Sequence, residues 1–501
     1  MTRIPRRPAP ALALAAVLLV LGAGVGTARA IRAEAPPADL SQPRSVPVAA
    51  AVLSCPAPAA TGVTSSVVAA AAPAEEPAAV RGQLTMDRLT GRGRLEQPGA
   101  GELSRTRGQA VTAPVPPQTG PVLIRGTGAL APGLGAVQFS RTAAGLGRGI
   151  AVGGCDPAGT EAWLVGAGAE VGRSATLFLT NPDEAAAMVD VELWGPDGPV
   201  DAPGLRSVAI GPRAQQVVRL DAEAPAGRYG VHVVAREGRV ATALRDDQYD
   251  GLQPLGTDWV PAAAAPATRV VVPAVLQGSG QRLLQILAPG DAGAVVSVRA
   301  LGVDGEAAPD ALAAVRVPAG SVAEVELGEA LGRQAAALEL TSDVPVTAGV
   351  LMRQGTAQGA GTTPGELAYT AASTALASGD QATLAYVPTG AGRLAELLLT
   401  APEGGATVRV VPLAQPGRQA PSARTVLVGA ASSVLVPLPT DAEAAYSVLL
   451  VVEAGSGEVY AGATLREAEP RGPMLTALPL RSAPVAVPVP AVHADPALGR
   501  D

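Results

Sequence analysis

The chain has 501 residues, 48% of them hydrophobic but only 2% aromatic, with 59 Gly, 47 Pro, two Cys and a formal charge of −7. That length allows three or four domains, each with a core of its own, and the Gly and Pro content is too low for wholesale disorder. Every basic residue is Arg, a bias that GC-rich coding gives without selection, and the acidic balance lacks the attraction nucleic acid requires, so no nucleic-acid partner is expected.

In chain order, residues 1–30 read as a signal peptide or membrane anchor. Arg3, Arg6 and Arg7 precede an apolar stretch from Ala9 to Ala28, and Ala28-Arg29-Ala30 supplies small residues at a cleavage site. No later run is long and apolar enough to span a bilayer. Membrane contact is therefore expected only through this N-terminal segment, and the bulk of the chain outside the cytoplasm, secreted or anchored. Residues 31–46, with Pro36, Pro37 and Pro43, read as a linker.

Cys55 and Cys155 are the only cysteines, and an exported chain favours a bridge between them. No His lies at zinc-ligand spacing from either, so no metal site is expected there. We expect the bridge to tie a preface into the first sandwich. In that reading Val63 to Ala69 and Pro121 to Ile124 borrow its core, and residues 70–115, rich in Ala, Pro, Glu and Arg, form a low-order excursion.

Downstream of Cys155 one pattern occurs three times. An apolar strand ends at a Pro-acid turn at Thr180-Asn181-Pro182-Asp183, Ala288-Pro289-Gly290-Asp291 and Thr400-Ala401-Pro402-Glu403, with the prolines 107 and 113 residues apart. An alternating strand follows each turn, from Val189, Val296 and Val408. Further strands close the unit at Arg245, Arg353 and Arg466, 108 and 113 residues apart. Seven short strands in roughly 100–110 residues, with frequent turn signals, predict an all-β chain of three tandem immunoglobulin-like β-sandwich domains. The expected boundaries are 47–253 for the first sandwich with its preface, 254–365 for the second, 366–480 for the third and 481–501 for an extended tail. Helix is expected in less than roughly 10% of the chain.

The phrases Leu179-Thr180-Asn181-Pro182-Asp183, Gly256-Thr257-Asp258-Trp259 and Leu340-Thr341-Ser342-Asp343-Val344-Pro345, with the two flanking cysteines, resemble a family of secreted actinobacterial proteins classed as a domain of unknown function. The resemblance covers roughly residues 48–480, and the chain departs from it in the 70–115 insert. It implies an exported cell-envelope protein, often encoded near a glycosyltransferase of wall assembly, with no established activity and no catalytic residues to carry over.

Little in the sequence speaks for catalysis. His232 and His493 are the only histidines, and neither sits in a nucleophile motif. His232 reads as an outward polar position on a strand. Arg245-Asp246-Asp247 and Asp258 could line a calcium site between sandwiches, but read more simply as a solvated linker with an Arg–Asp pair. Trp163, Trp194 and Trp259 could stack on sugar rings, and otherwise read as core or junction residues. The expectation is a non-catalytic extracytoplasmic cell-envelope protein without cofactor, acting as scaffold, spacer or docking module. The alternative is a cell-wall polysaccharide-binding module, so the expected partner is an envelope protein or a cell-wall glycan.

Overall fold

Strand-length alternation governs the computed structural model, which describes residues 44–57, 63–73, 82–89, 95–96, 102–104, 106–116, 120–278, 280–328, 330–332, 334–354 and 365–490. The signal or anchor segment at 1–30 lies outside these. Among the described residues the chain is nearly all antiparallel β-sheet, with a single short α-helix at Leu220–Glu223 and no helix long and apolar enough to cross a membrane.

Residues 161–260 set the pattern. One sheet runs Gly198–Val200, Ala187–Gly195, Arg228–Glu237, Glu161–Gly168, and the facing sheet runs Ala214–Arg219, Arg173–Asn181, Ala241–Asp250, Gln253–Val260. Val189, Val191 and Leu193 point inward while Asp190 and Glu192 point outward, the period of two that a half-buried strand requires. Their core is completed from the second sheet by Leu177, Leu179 and Leu244. The same strand order recurs in residues 267–371 and 381–480. In the former, the 19-residue strand Ala336–Gln354 serves both sheets. It pairs with Ala294–Gly302 as far as Ser342 and with Gln281–Ala288 from Thr347, and it crosses over at Pro345, which has no N–H to leave unpaired.

The strand order differs from the immunoglobulin arrangement. Here the first strand pairs with the sixth and the seventh with the second, where the immunoglobulin sheets pair first with second and sixth with seventh. Two expected boundaries fall one strand early. Gln253–Val260 pairs with Ala241–Asp250 and so belongs before position 254, and Glu366–Ala371 pairs with Ala336–Gln354 and so belongs before 366.

The larger correction is a fourth copy. Residues 50–155 repeat the same order: Ala50–Cys55, Val122–Thr127 and Gln83–Leu89 in one sheet, and Ala110–Val115, Val63–Ala70, Gly135–Thr142 and Gly149–Gly154 in the other. The expected excursion at 70–115 thus contains two of this sandwich's main strands, together with the short Leu95–Glu96 and Glu102–Ser104. Leu53, Val67, Leu84, Met86, Val111, Val122 and Ile124 form a core of its own around Cys55 and Cys155. Ala and Val faces fill that core without aromatics. The disulfide Cys55–Cys155 joins the end of this module's first strand to the residue after its last, so it closes the N-terminal module rather than tying a preface to the next.

We number the modules one to four, for residues 50–155, 161–260, 267–371 and 381–480. Each ends in a strand that packs beside its counterpart in the next module, and the last packs beside the first: Gly149–Gly154, Gln253–Val260, Glu366–Ala371, Met474–Leu480. The four sandwiches therefore close into a ring with these axial strands at its centre. The closing seam is apolar: Val68, Val137, Phe139, Ile150 and Val152 of module one complete the core of module four, and Phe139 lies 4.6 Å from Tyr386 between ring centroids. Leu283, Leu351, Leu367 and Tyr369 of module three likewise enter the core of module two, and Leu475 and Ala477 of module four that of module three. A separate unit pairs Arg44–Pro47 with Ala486–Val489, so the expected linker and tail each contribute a strand.

A bridge across 100 residues restricts the unfolded chain by about 4–5 kcal/mol in the loop-entropy model. Reduction or Cys55→Ser should therefore lower exchange protection of amides in Val63–Ala70 and Gly135–Thr142 far more than in Arg173–Asn181 of module two. Equal effects on both would place the bridge's influence elsewhere.

Candidate functional site

The axial strands are apolar except at a few positions, and those polar side chains meet where the four modules do. Asp258, on the axial strand of module two, is fully buried. Its Oδ1 accepts the Thr476 hydroxyl of module four at 2.8 Å, and its Oδ2 accepts the Tyr369 backbone N–H of module three at 3.1 Å. Thr476 Oγ1 in turn accepts the Val152 N–H of module one at 3.1 Å. One carboxylate thereby joins all four modules. Burial pushes its carboxyl well above the usual range, against the donors that pull it down, which include the N–H groups of Trp259 and Ala477.

Glu366, at the start of module three's axial strand, is the second buried carboxyl. Its Oε1 accepts the N–H groups of Thr257 at 3.4 Å and Leu367 at 3.2 Å, and its Oε2 has no hydrogen-bond partner. Burial pushes this group up as well, and the neighbouring Asp258 adds to the push while Arg148 opposes it. Arg148 is itself buried and donates to the carbonyls of Gly472 and Pro473 in module four.

A second network seals modules two and three. Asp246 accepts Arg173 Nε at 2.8 Å on one oxygen, and the Tyr369 hydroxyl and Gln248 Nε2, both at 2.6 Å, on the other. Arg353 of module three donates to Gln248 Oε1 at 2.6 Å. Tyr369 thus serves Asp258 with its backbone and Asp246 with its side chain, and burial raises its hydroxyl well above the ordinary value. Asp247 faces the other way, paired with Arg245 at 3.0 Å and with the Thr257 hydroxyl.

The expected solvated linker is thus corrected at Asp246 and Asp258, which are wholly buried, while the Arg245–Asp247 pair forms as read. The physical reason is register: pairing Asp246 opposite Asp258 sets both on strands that face other modules rather than solvent. Among the described residues no group of three or more His, Cys, Asp or Glu is placed to hold a metal ion. Every carboxylate of the hub already meets Arg, hydroxyl or N–H donors.

The three indoles lie in seams. Trp163 and Trp194, 8% and 9% exposed, lie 5.7 Å apart between ring centroids and pack on Leu287 and Val322 of module three. Trp259, 4% exposed, packs with Phe178 and with Ala151 of module one. As sugar platforms these rings would need the modules to part. His232 stacks on Trp163 at 3.7 Å, and its ring nitrogens lie 2.9 Å from Glu161 and 3.0 Å from Glu192. Its partners are two carboxylates and an indole, with no hydroxyl or thiol among them.

Sequence reasoning passed over Arg148, Arg173, Glu366, Tyr369 and Thr476. The available signal was a polar side chain inside an otherwise apolar strand, as in Met474-Leu475-Thr476-Ala477-Leu478. Residues 103–439 match the model of a family of unknown function, a span that includes three of the four axial strands. No curated protein matches the sequence.

Removing the Asp258 carboxylate would leave Thr476, the Tyr369 N–H and two further N–H groups unpaired in a buried centre. Asp258→Ala should cost about 3 kcal/mol or more in urea denaturation. A loss below about 1 kcal/mol would contradict the hub's role in joining the modules.

Proposed function

The chain belongs to that family, DUF5719, and we propose that it serves outside the cytoplasm as a non-catalytic cell-envelope scaffold, a closed ring that holds its outer surfaces in fixed mutual orientation to dock an envelope protein. The observation that carries this reading is where the ionisable chemistry lies. Asp246, Asp258, Glu366, Arg148 and Arg173 are all buried at module junctions, where they fasten sandwiches together rather than line an open cleft. Catalysis needs such groups within reach of a substrate.

The disulfide supports an extracytoplasmic setting, since such bonds persist where the environment is oxidising. The N-terminal Arg-flanked apolar segment supports export, by secretion or anchoring. The modules also support a relation to immunoglobulin-like sandwiches in which the first and seventh strands have exchanged sheets. The second strand still pairs with the fifth and the third with the sixth. At the corner entering the sixth strand, Tyr229 donates to the Pro225 carbonyl and Tyr446 to that of Pro439, the contact of a tyrosine corner. The polysaccharide-binding reading draws less support, because an aromatic platform needs an open ring face and all three indoles are covered.

Sedimentation with purified wall polysaccharide tests the choice. The intact protein is expected to stay in solution, and Trp194→Ala and Trp259→Ala variants to behave the same. Saturable retention that either substitution abolishes, in a variant with unchanged strand content by circular dichroism, would overturn the scaffold in favour of the glycan module.

A further inference from the structure

Glu366 is seated where modules one, two and three converge, in a cradle that only glycine permits. A Cβ at Gly149 of module one would come within 2.9 and 3.0 Å of the two carboxyl oxygens, and one at Gly256 of module two within 2.4 Å of the Leu367 nitrogen. Both glycines hold positive φ, +153° and +122°, which other residues adopt only with strain. Two backbones thus close directly over an ionisable group that has a partner for one oxygen and none for the other.

The groups that face it come from each neighbouring element. Arg148, just before module one's axial strand, is the cation beside it, and Asp258, on module two's axial strand, is a second carboxyl that burial likewise pushes up. Behind Thr257 lie Asp247 and Arg245, already paired with each other. On its own strand Tyr369 is held by Asp246 and Arg173. On module three's long strand Gln354 pairs opposite it and Arg353 bonds Gln248. Module four presents the neutral Thr476 and the carbonyls of Gly472 and Pro473, which hold Arg148. The Nε of Arg148 is buried and has no partner.

We propose that Glu366 is a protonation-controlled joint of the ring: neutral, it fits the cradle that three modules close over it, and ionised, it lacks a donor there and loosens the axis. A neutral carboxyl fits the site because Oε2 then carries the hydroxyl and no charge is left uncompensated. When the proton leaves to solvent, the carboxylate requires a donor at Oε2, and the closed cradle offers none, since Arg148 Nε is unpartnered as well. Bringing a donor to Oε2 requires movement of the Gly149 and Gly256 backbones that close over the group. The sign follows from the burial that holds the closed-state carboxyl above its unfolded value. The closed ring binds the proton more tightly, so its advantage is complete in acid and is lost as pH rises through the closed-state value. The loosened population grows about tenfold per pH unit over that interval. This inference stands apart from the scaffold reading, since a joint of this kind requires no particular partner.

The test uses the full chain labelled with 5-fluorotryptophan. Trp259 adjoins Asp258 and packs across the seam between modules one and two, so its fluorine resonance, assigned by Trp259→Phe, reports on the axis. As pH rises through and beyond the ordinary carboxyl range we expect that resonance to move with one proton in the wild type and to remain at its acid position in Glu366→Gln, whose amide keeps Oε1 as acceptor and cannot ionise. Infrared difference spectra of the wild type provide a second readout should the variant fail to fold. A protonated-carboxyl stretch should disappear over the same interval as the resonance moves. The two readouts failing to coincide, or wild type and Glu366→Gln giving the same profile, would overturn the proposal.

Discussion

A single buried carboxylate sets the terms for the rest of this protein. Asp258 lies in the buried centre of the ring, where an uncompensated charge would cost several kcal/mol, and it is tolerable only with its donors in place. Those donors come from different modules: Thr476 from module four, the Tyr369 N–H from module three, and Val152 of module one through the Thr476 hydroxyl. No sandwich can satisfy Asp258 by itself. The arrangement ties the burial of one side chain to the mutual placement of four domains, which a purely apolar seam would fix far less specifically.

The apolar seams supply the driving force that the hub directs. Ala and Val faces, with few aromatics, leave each sandwich thin, and each seam extends a core by borrowing from the neighbour: Phe139 and Ile150 in module four, Tyr369 and Leu367 in module two, Leu475 and Ala477 in module three. Around these run ion pairs that cross the same seams, including Arg141 with Glu467 and Glu469, Arg228 with Glu324, and Arg269 with Glu403. Most of these are partly exposed, and such pairs contribute little each, so they serve orientation more than stability. Specificity therefore comes from the centre and attraction from the seams.

Much of the fold was legible because strand alternation and the Pro-acid turns recur at nearly constant offsets, and the Cys55–Cys155 bond is what two cysteines behind an export-like N-terminal segment lead one to expect. The fourth copy was not, although Pro73-Ala74-Glu75 follows its second strand and lies 109 residues before Pro182, because its Ala-rich strands carry too little contrast between faces to show a period of two. The axial strands were cut from their modules for a related reason. Phrases such as Gly256-Thr257-Asp258-Trp259 and Glu366-Leu367-Ala368-Tyr369 carry polar residues where an alternating core strand would carry apolar ones, so they looked like starts of new domains or linkers. The polar hub escaped notice because its members lie about 100 residues apart and share no motif. Only ring closure brings Val152, Asp258, Tyr369 and Thr476 together.

The closed ring is tested most directly by small-angle X-ray scattering of the monomeric protein in solution. Four sandwiches closed on a common axis behave as one globule, and residues 47–485 scale to a radius of gyration of about 22 Å. A ring of these residues should give that value, with a compact pair-distance distribution. A radius near twice as large, with the extended distribution of tandem domains on a string, would contradict the ring and with it the role assigned to Asp258.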